Sequence, residues 1–264
     1  MVRTSLHPPP VQSPPANVAP PAPPAALAGS PVAACVLACD GLAGDRGDRR
    51  LFEGLDLALA GGTVTWLRGR NGRGKTTLLR LLAGLSSPAA GSVCVQGQPQ
   101  LAAGPPGRRM WVYIGHQNAL KDDLTATEAL RFLARLHGLP HDDASLQSAL
   151  QRLGIAQRRP ARGRTLSQGQ RRRVALARLA LSAAAPLWLL DEPFDALDAD
   201  GIDALNAVIG GHALAGGCVL LTSHQALSIR QPVPAVLDLE AFAPATRPSR
   251  RRDTTHETGD AAGR

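Results

Sequence analysis

Aromatic residues and lysine are both scarce in this sequence. Phenylalanine, tryptophan and tyrosine make up 3% of the 264 residues, and Lys75 and Lys121 are the two lysines among 29 basic residues. A surface that stacks bases on aromatic side chains is therefore not indicated, although the formal net charge is +8. We interpret the charge as arginine spread over the surface, and we expect no nucleic-acid partner.

Cysteine and long apolar runs are also scarce. The four cysteines, at positions 35, 39, 94 and 218, form no CxxC pair and are too scattered for a disulfide framework. We interpret them as free thiols in a reducing compartment. No stretch of about 18 or more apolar residues is free of both charge and proline, so no membrane-spanning helix is predicted. The hydrophobic fraction of 44% and the length of the chain suit one globular unit with a subdomain.

Proline is concentrated near the start of the chain. Ten of the 22 prolines lie at or before Pro31, and a segment so rich in proline forms neither a helix nor a sheet. We predict a disordered tail at 1–30, one folded domain at 31–242 and a second, polar tail at 243–264. The prolines also interrupt the apolar helix that a secretory signal would need.

Short β-type runs alternate with helical stretches between the two tails. The predicted strands are 64–67, 93–95, 111–114, 187–190 and 219–222, and the predicted helices are 76–83, 126–136, 144–153, 169–181 and 201–209. This alternation is typical of an α/β sheet.

A glycine-rich segment follows one predicted strand and opens a leucine-rich helix. It reads Gly69-Arg70-Asn71-Gly72-Arg73-Gly74-Lys75-Thr76, which is the spacing of a P-loop. Glycines allow backbone N–H groups to turn toward phosphate oxygens, and the helix N-terminus adds positive potential. We expect Lys75 to reach the β- and γ-phosphates of ATP and Thr76 to ligate Mg²⁺, with Thr77 also in the nucleotide site.

An acidic pair, Asp191 and Glu192, follows the apolar run 187–190. A buried strand of this kind presents the first acid to a magnesium ion, and the second acid can polarise the attacking water. Together with the P-loop, the pair predicts an enzyme that hydrolyses ATP with Mg²⁺.

The segment Leu166-Ser167-Gln168-Gly169-Gln170 selects among the P-loop classes. It resembles Leu-Ser-Gly-Gly-Gln, the signature of the ABC ATPase family, and departs from it at Gln168. The resemblance implies an α/β P-loop NTPase fold with a RecA-like core, a small antiparallel β layer and a helical subdomain at about 118–180. It also implies a homodimer in which Ser167 and Gly169 of one chain complete the γ-phosphate pocket of the other. A helix cap at Ser167 is the simpler role, and one residue can serve both.

Three further residues fall where the ABC resemblance places functional groups. Gln117 resembles the glutamine that touches magnesium and links the site to a transmembrane partner. Asp198 lies in a segment that resembles the loop crossing the dimer interface, and His224 resembles the histidine that contacts the γ-phosphate. The predicted catalytic groups are Glu192, His224 and Gln117, and the predicted metal ligands are Thr76, Gln117 and Asp191. The predicted nucleotide-binding residues are Gly69, Arg70, Asn71, Gly72, Arg73, Gly74, Lys75, Thr76, Thr77, Ser167, Gly169 and Asp198.

The ABC family usually stacks an aromatic residue on adenine from a loop before the P-loop, and residues 40–51 contain no such residue. Our hypothesis is that Arg46 or Arg50 stacks its guanidinium plane on the base instead. The alternative is that adenine is held loosely.

Several local runs narrow the resemblance to the CcmA family, the haem-exporter ATP-binding proteins of bacterial cytochrome c maturation. They include 113–117 with the residues at 120–121 and 124–126 that follow it, 171–179, and 221–225. The resemblance implies a peripheral ATPase at the cytoplasmic face of the inner membrane, with a CcmB-like membrane subunit as partner and haem handled by partners. Two alternatives stay open: an ABC transporter subunit for another substrate, and a non-transport ABC ATPase that acts on nucleic acid or ribosomes.

Overall fold

The computed structural model describes residues 34–100 and 110–244. In chain order the elements are β1 (Cys35–Arg46), β2 (Arg49–Ala60), β3 (Thr63–Arg68), α1 (Lys75–Leu82), β4 (Ala90–Val95), β5 (Gln98–Pro99), β6 (Trp111–Ile114), α2 (Ala126–Leu136), α3 (Asp143–Arg152), α4 (Gln168–Leu181), β7 (Leu187–Leu190), α5 (Ala199–Leu214), β8 (Cys218–Thr222) and β9 (Ala235–Asp238). The predicted tails lie outside the described residues, apart from residues 243 and 244, so the domain boundaries stay predictions.

The described strands form two sheets. An antiparallel sheet has the order β2-β1-β4-β5, and a sheet with the order β6-β7-β8-β3-β9 is parallel throughout. The parallel sheet is the scaffold of the predicted motifs, because the P-loop follows β3 and the acidic pair follows β7. Carboxyl ends of parallel strands meet at one edge of a sheet, so these motifs meet there.

The parallel sheet divides the interior into two cores. Trp188 and Leu190 of β7 pack with α2, α3, α4 and α5 in one core, and Leu187 and Leu189 pack with α1 and the antiparallel sheet in the other. Successive strand residues point to opposite faces, so a strand covered on both faces must be apolar throughout. Every residue of β7 and β8 is buried, which confirms the buried strand predicted at 187–190.

Helices α2, α3 and α4 pack against one another within the predicted helical subdomain. Helix α2 begins with a capping box, in which Thr125 Oγ1 accepts from the Glu128 N–H at 3.2 Å and Glu128 Oε2 accepts from the Thr125 N–H at 2.8 Å. None of the described helices is long and apolar enough to cross a bilayer.

The structure contains every strand and helix predicted above and adds some that the patterns did not locate. Strand β9 has four residues, three of them exposed, and is not among the predicted strands. Helix α5 continues past the predicted end at 209 and includes Gly210 and Gly211. Gly210 packs so closely that a Cβ would lie 2.9 Å from the Gln231 carbonyl oxygen, and this glycine therefore serves packing and does not end the helix.

Candidate active site

The phosphate loop at 69–74 lies between β3 and α1. Its last residue, Gly74, has a φ of +108°, a left-handed conformation that favours glycine. A Cβ at this position would also meet the Leu51 and Phe52 side chains at 3.0 and 3.3 Å. The path of the loop into α1 therefore requires glycine at position 74.

Helix α1 offers unpaired backbone donors at its N-terminus. Gly74 caps the helix without a side-chain acceptor, and the first turn carries no acidic residue. The free N–H groups and the helix dipole are therefore available to an anion such as phosphate. Lys75 Nζ donates to the carbonyl oxygens of Gly69 at 2.7 Å and Arg70 at 3.4 Å, so the ammonium lies against the loop. Of the neighbouring predicted residues, Asn71, Gly72 and Thr76 are exposed, and Arg73 and Thr77 are half-buried.

The acidic pair lies at the carboxyl end of β7, beside the end of β8. Asp191 and Glu192 are 4% and 9% exposed, and Glu192 has a φ of +47°, which is uncommon for a residue other than glycine. The hydroxyl of Thr222 holds both residues, because it accepts from the Glu192 N–H at 2.8 Å and donates to Asp191 Oδ1 at 3.1 Å. Thr222 therefore fixes the strained turn and the orientation of the Asp191 carboxylate.

His224 lies against the second carboxylate. Its backbone N–H donates to Glu192 Oε2 at 3.0 Å, and its ring Nε2 lies 3.5 Å from Glu192 Oε1. Burial raises the pKa of Glu192 above its ordinary value of 4.5, and the charges of His224 and Lys75 oppose that shift. Lys75 and His224 also line one cleft of about 440 Å³ with Gly69 and Arg70. The structure thus brings the P-loop lysine, the second acid and the histidine together.

The predicted signature residues lie at a different cleft, of about 350 Å³. Ser167 caps α4, since its Oγ accepts from the Gln170 N–H at 3.2 Å while Gln170 Oε1 accepts from the Ser167 N–H at 3.1 Å. The simpler role predicted for Ser167 is therefore confirmed. Gly169 approaches the loop before α5 so closely that a Cβ would lie 2.5 Å from the Ala196 carbonyl oxygen.

Asp198 lies in the same cleft and joins α4 to α5. It caps α5 by accepting from the Gly201 N–H at 3.1 Å, and it forms an ion pair with Arg173 of α4, a residue that is 8% exposed. No residue lines both this cleft and the one at Lys75. The predicted nucleotide-binding residues of the described chain therefore fall into two separate groups.

Gln117 lines neither of the two clefts. It lies exposed on the loop after β6, and within the described ranges its side chain makes no hydrogen bond. Arg172 of α4 donates to the backbone just before Gln117 and to the Asn118 side chain just after it, and the sequence motifs did not single out this arginine.

Arg50, one of the two arginines considered for adenine stacking, is held by acidic neighbours at the β1–β2 hairpin. It forms ion pairs with Asp45 and, at 3.3 Å, with Glu53. Arg46 ends β1 beside it and is paired in register with Arg49 of β2. The stacking hypothesis stays a prediction.

Glu240 is a residue at the phosphate loop that no motif indicated. It follows β9, and its carboxylate accepts from the Arg70 N–H at 2.9 Å and lies 3.3 Å from Arg73 Nε. The sequence around Glu240 carries no local signal of this role, because its contact with the loop spans 170 residues of sequence.

The sequence of this chain is similar to those of known ABC transporter proteins. The family model for ABC transporters matches residues 52–195. The cytochrome c biogenesis ATP-binding export protein CcmA of Aromatoleum aromaticum is 46% identical over 198 residues, which cover 75% of this chain and 92% of that protein. CcmA of Dechloromonas aromatica is 46% identical over 196 residues, covering 74% of this chain and 95% of that protein.

Solved structures give the same fold. An ATP-binding subunit of an ABC transporter is 27% identical, with a TM-score of 0.66 over 77% of this chain and 86% of that chain. An ABC transporter ATP-binding protein of Pyrococcus furiosus, 23% identical, matches 79% of this chain and 99% of that chain with a TM-score of 0.68 and supports the fold alone. The predicted fold class is confirmed. The chain therefore belongs to the ABC transporter family, as a nucleotide-binding, ATP-hydrolysing subunit that resembles the CcmA proteins.

Proposed function

We propose that this chain is the ATPase subunit of a CcmAB-type complex in c-type cytochrome biogenesis, where ATP hydrolysis drives haem export or the release of a haem carrier. The observation that carries the proposal is the 46% identity to CcmA of Aromatoleum aromaticum over 92% of that protein. The partner would be a CcmB-like membrane subunit at the cytoplasmic face of the inner membrane, and haem would be handled by the partners.

In this proposal Glu192 orients and polarises the water that attacks the γ-phosphate. The bond from the His224 N–H holds its carboxylate, and burial raises its pKa, which strengthens it as a base. Lys75, at the N-terminus of α1, would reach the β- and γ-phosphates in exchange for its bonds to two neutral carbonyls. The ring of His224, exposed on the same cleft, would contact the γ-phosphate.

Thr76, Gln117 and Asp191 would hold a magnesium ion. All three offer hard oxygen donors, which Mg²⁺ prefers. Within the described residues, the hydrogen bond made by the Asp191 carboxylate is the one that Oδ1 accepts from Thr222, so Oδ2 is available to a cation. A bound ion would neutralise charge on the transferred phosphoryl group.

Two chains would pack head to tail around two ATP molecules. The support is the separation of the predicted residues into two clefts, one with Lys75 and His224 and the other with Ser167, Gly169 and Asp198. Each cleft would supply half of a nucleotide site. The open and closed dimers would bind ATP with different affinity, so ATP binding would shift the conformation of the membrane partner.

The test is to purify tagged Glu192→Gln protein from native membranes in the presence of ATP and to identify its partners by mass spectrometry. The substitution should block hydrolysis and trap the closed dimer, so a CcmB-like membrane protein should be recovered. The matched control is Glu192→Gln combined with Lys75→Ala, which should not bind ATP or be trapped. Recovery of ribosomes, or of no membrane protein, would contradict the proposal.

A further inference from the structure

Arg172 is a buried arginine in the first turns of α4, just past the signature segment. It is 2% exposed and is among the largest fully buried side chains of the described residues. Burial lowers the pKa of Arg172, while the charges of Asp195, Asp191 and Glu192 oppose that shift. A buried guanidinium is costly unless its donors are satisfied, so the position of its acceptors is informative.

One set of acceptors belongs to the turn that carries the acidic pair. Arg172 donates from Nη2 to the Glu192 carbonyl oxygen at 2.8 Å and to the Asp191 carbonyl oxygen at 3.4 Å, and from Nε to the Pro193 carbonyl oxygen at 3.4 Å. This is the turn in which Glu192 adopts a φ of +47°. The guanidinium and the Thr222 hydroxyl therefore hold the same strained backbone, Arg172 through carbonyl groups and Thr222 through the Glu192 N–H.

The other set of acceptors flanks Gln117 on the loop after β6. Arg172 donates from Nη1 to the carbonyl oxygens of Gly115 at 3.1 Å and His116 at 3.3 Å, and to Asn118 Oδ1 at 3.1 Å. Gln117 itself stays exposed between these contacts. One planar group thus joins the loop that presents Gln117 to the backbone of Glu192.

The shape of the guanidinium is what makes this junction possible. Its donors point in a fixed fork, so Nη1 can bond the Gln117 loop while Nη2 bonds the turn at Glu192. A lysine ammonium donates from a single point. A displacement of the Gln117 loop would therefore move the guanidinium, and through it the Glu192 backbone.

We propose that Arg172 is a positioning residue that couples the Gln117 loop to the placement of Glu192. The inference rests on the roles proposed above for those two residues. Arg172 is buried and lines neither cleft, so it affects the rate of hydrolysis through the geometry of Glu192 and leaves ATP binding to the P-loop.

The experiment uses full-length Arg172→Gln and Arg172→Lys proteins, with kcat and KM for Mg-ATP hydrolysis and the Kd for ATP measured separately. We expect Arg172→Gln to lower kcat about 100-fold, the order of loss from a misplaced catalytic group, while the Kd for ATP stays within about threefold. Arg172→Lys should recover part of kcat, because it keeps the charge and some of the donors.

A double-mutant cycle with Gln117→Ala tests the coupling itself. If Arg172 acts by holding the Gln117 loop, the effect of Gln117→Ala on kcat should be much smaller in the Arg172→Gln background than in the wild type. A role confined to the stability of the core predicts equal effects in the two backgrounds, and that result would overturn the inference.

Arg178→Gln is the matched control for loss of stability. Arg178 lies further along α4, and its Nη2 donates to the Tyr113 carbonyl oxygen of β6 at 2.7 Å. Its replacement should lower the thermal stability while leaving kcat per folded molecule unchanged. An Arg172→Gln protein whose kcat is within about twofold of wild type, or no lower than that of Arg178→Gln, would refute the positioning role.

Glu192→Gln in the same assay separates this inference from the proposed function. If Glu192→Gln hydrolyses ATP like the wild type, the proposed catalytic role of Glu192 fails. If Glu192→Gln is inactive and Arg172→Gln retains its kcat, the coupling through Arg172 fails alone.

Discussion

Replacing Thr222 with valine tests how the acidic pair is held. Valine has nearly the shape of threonine, and position 222 is fully buried, so the packing should change little. The variant loses the bond to the Asp191 carboxylate and leaves the Glu192 N–H without its acceptor. Losing a bond to a charged group and orphaning a buried donor each cost about 2 kcal/mol, so we expect a loss of about 4 kcal/mol in the free energy of unfolding.

Urea unfolding of Thr222→Val and Thr222→Ser provides the comparison. Serine keeps the hydroxyl and removes one methyl group, so its loss should be about 1 kcal/mol. The valine variant should also have a lower kcat, because the strained turn at Glu192 is no longer held. A loss below about 1 kcal/mol for valine, or an equal loss for both variants, would refute the reasoning.

Three further predictions concern charge and capping. Burial raises the pKa of Glu192, so its ionised form destabilises the native state above that pKa. Glu192→Gln should therefore raise the Tm at pH 7, and this gain should disappear as the pH falls below about 4.5. Burial lowers the pKa of His212, in α5, from 6.5 to about 4. The free energy of unfolding should therefore fall by about 3 kcal/mol as the pH drops from 6.5 to 4. His212→Phe should flatten this pH dependence, as urea unfolding at several pH values can measure. Asp198→Ala should destabilise the protein by about 1 kcal/mol through loss of the α5 cap, and Asp198→Asn should restore most of the cap but not the ion pair with Arg173, as thermal unfolding can measure.

Specific outcomes would contradict these three predictions. A Tm gain for Glu192→Gln that is the same at pH 7 and at pH 4 would exclude an electrostatic origin. An unchanged acid dependence in His212→Phe would assign that dependence to other groups. Equal stability of the alanine and asparagine variants at position 198 would show that the cap contributes nothing.

Much of the site could be predicted from the sequence because its motifs are local. A P-loop needs glycines at fixed offsets between a strand and a helix, and the cap at Ser167 needs an acceptor three residues before Gln170. The apolar run of β7 also shows its burial locally, since both faces are covered. These features depend on neighbours along the chain, and the structure has them where the patterns predicted.

The residues that hold the site together could not be predicted in this way. Thr222 meets Glu192 because β8 lies beside β7. Arg172 meets the Gln117 loop because α4 packs in the same core as β6 and β7. Such neighbours are set by the burial of whole strands and helices, which no short window of sequence records. The sequence alone determined the chemical groups and the family, and the tertiary structure decided which side chains fix those groups in place, because contacts between distant segments form only when the two cores pack.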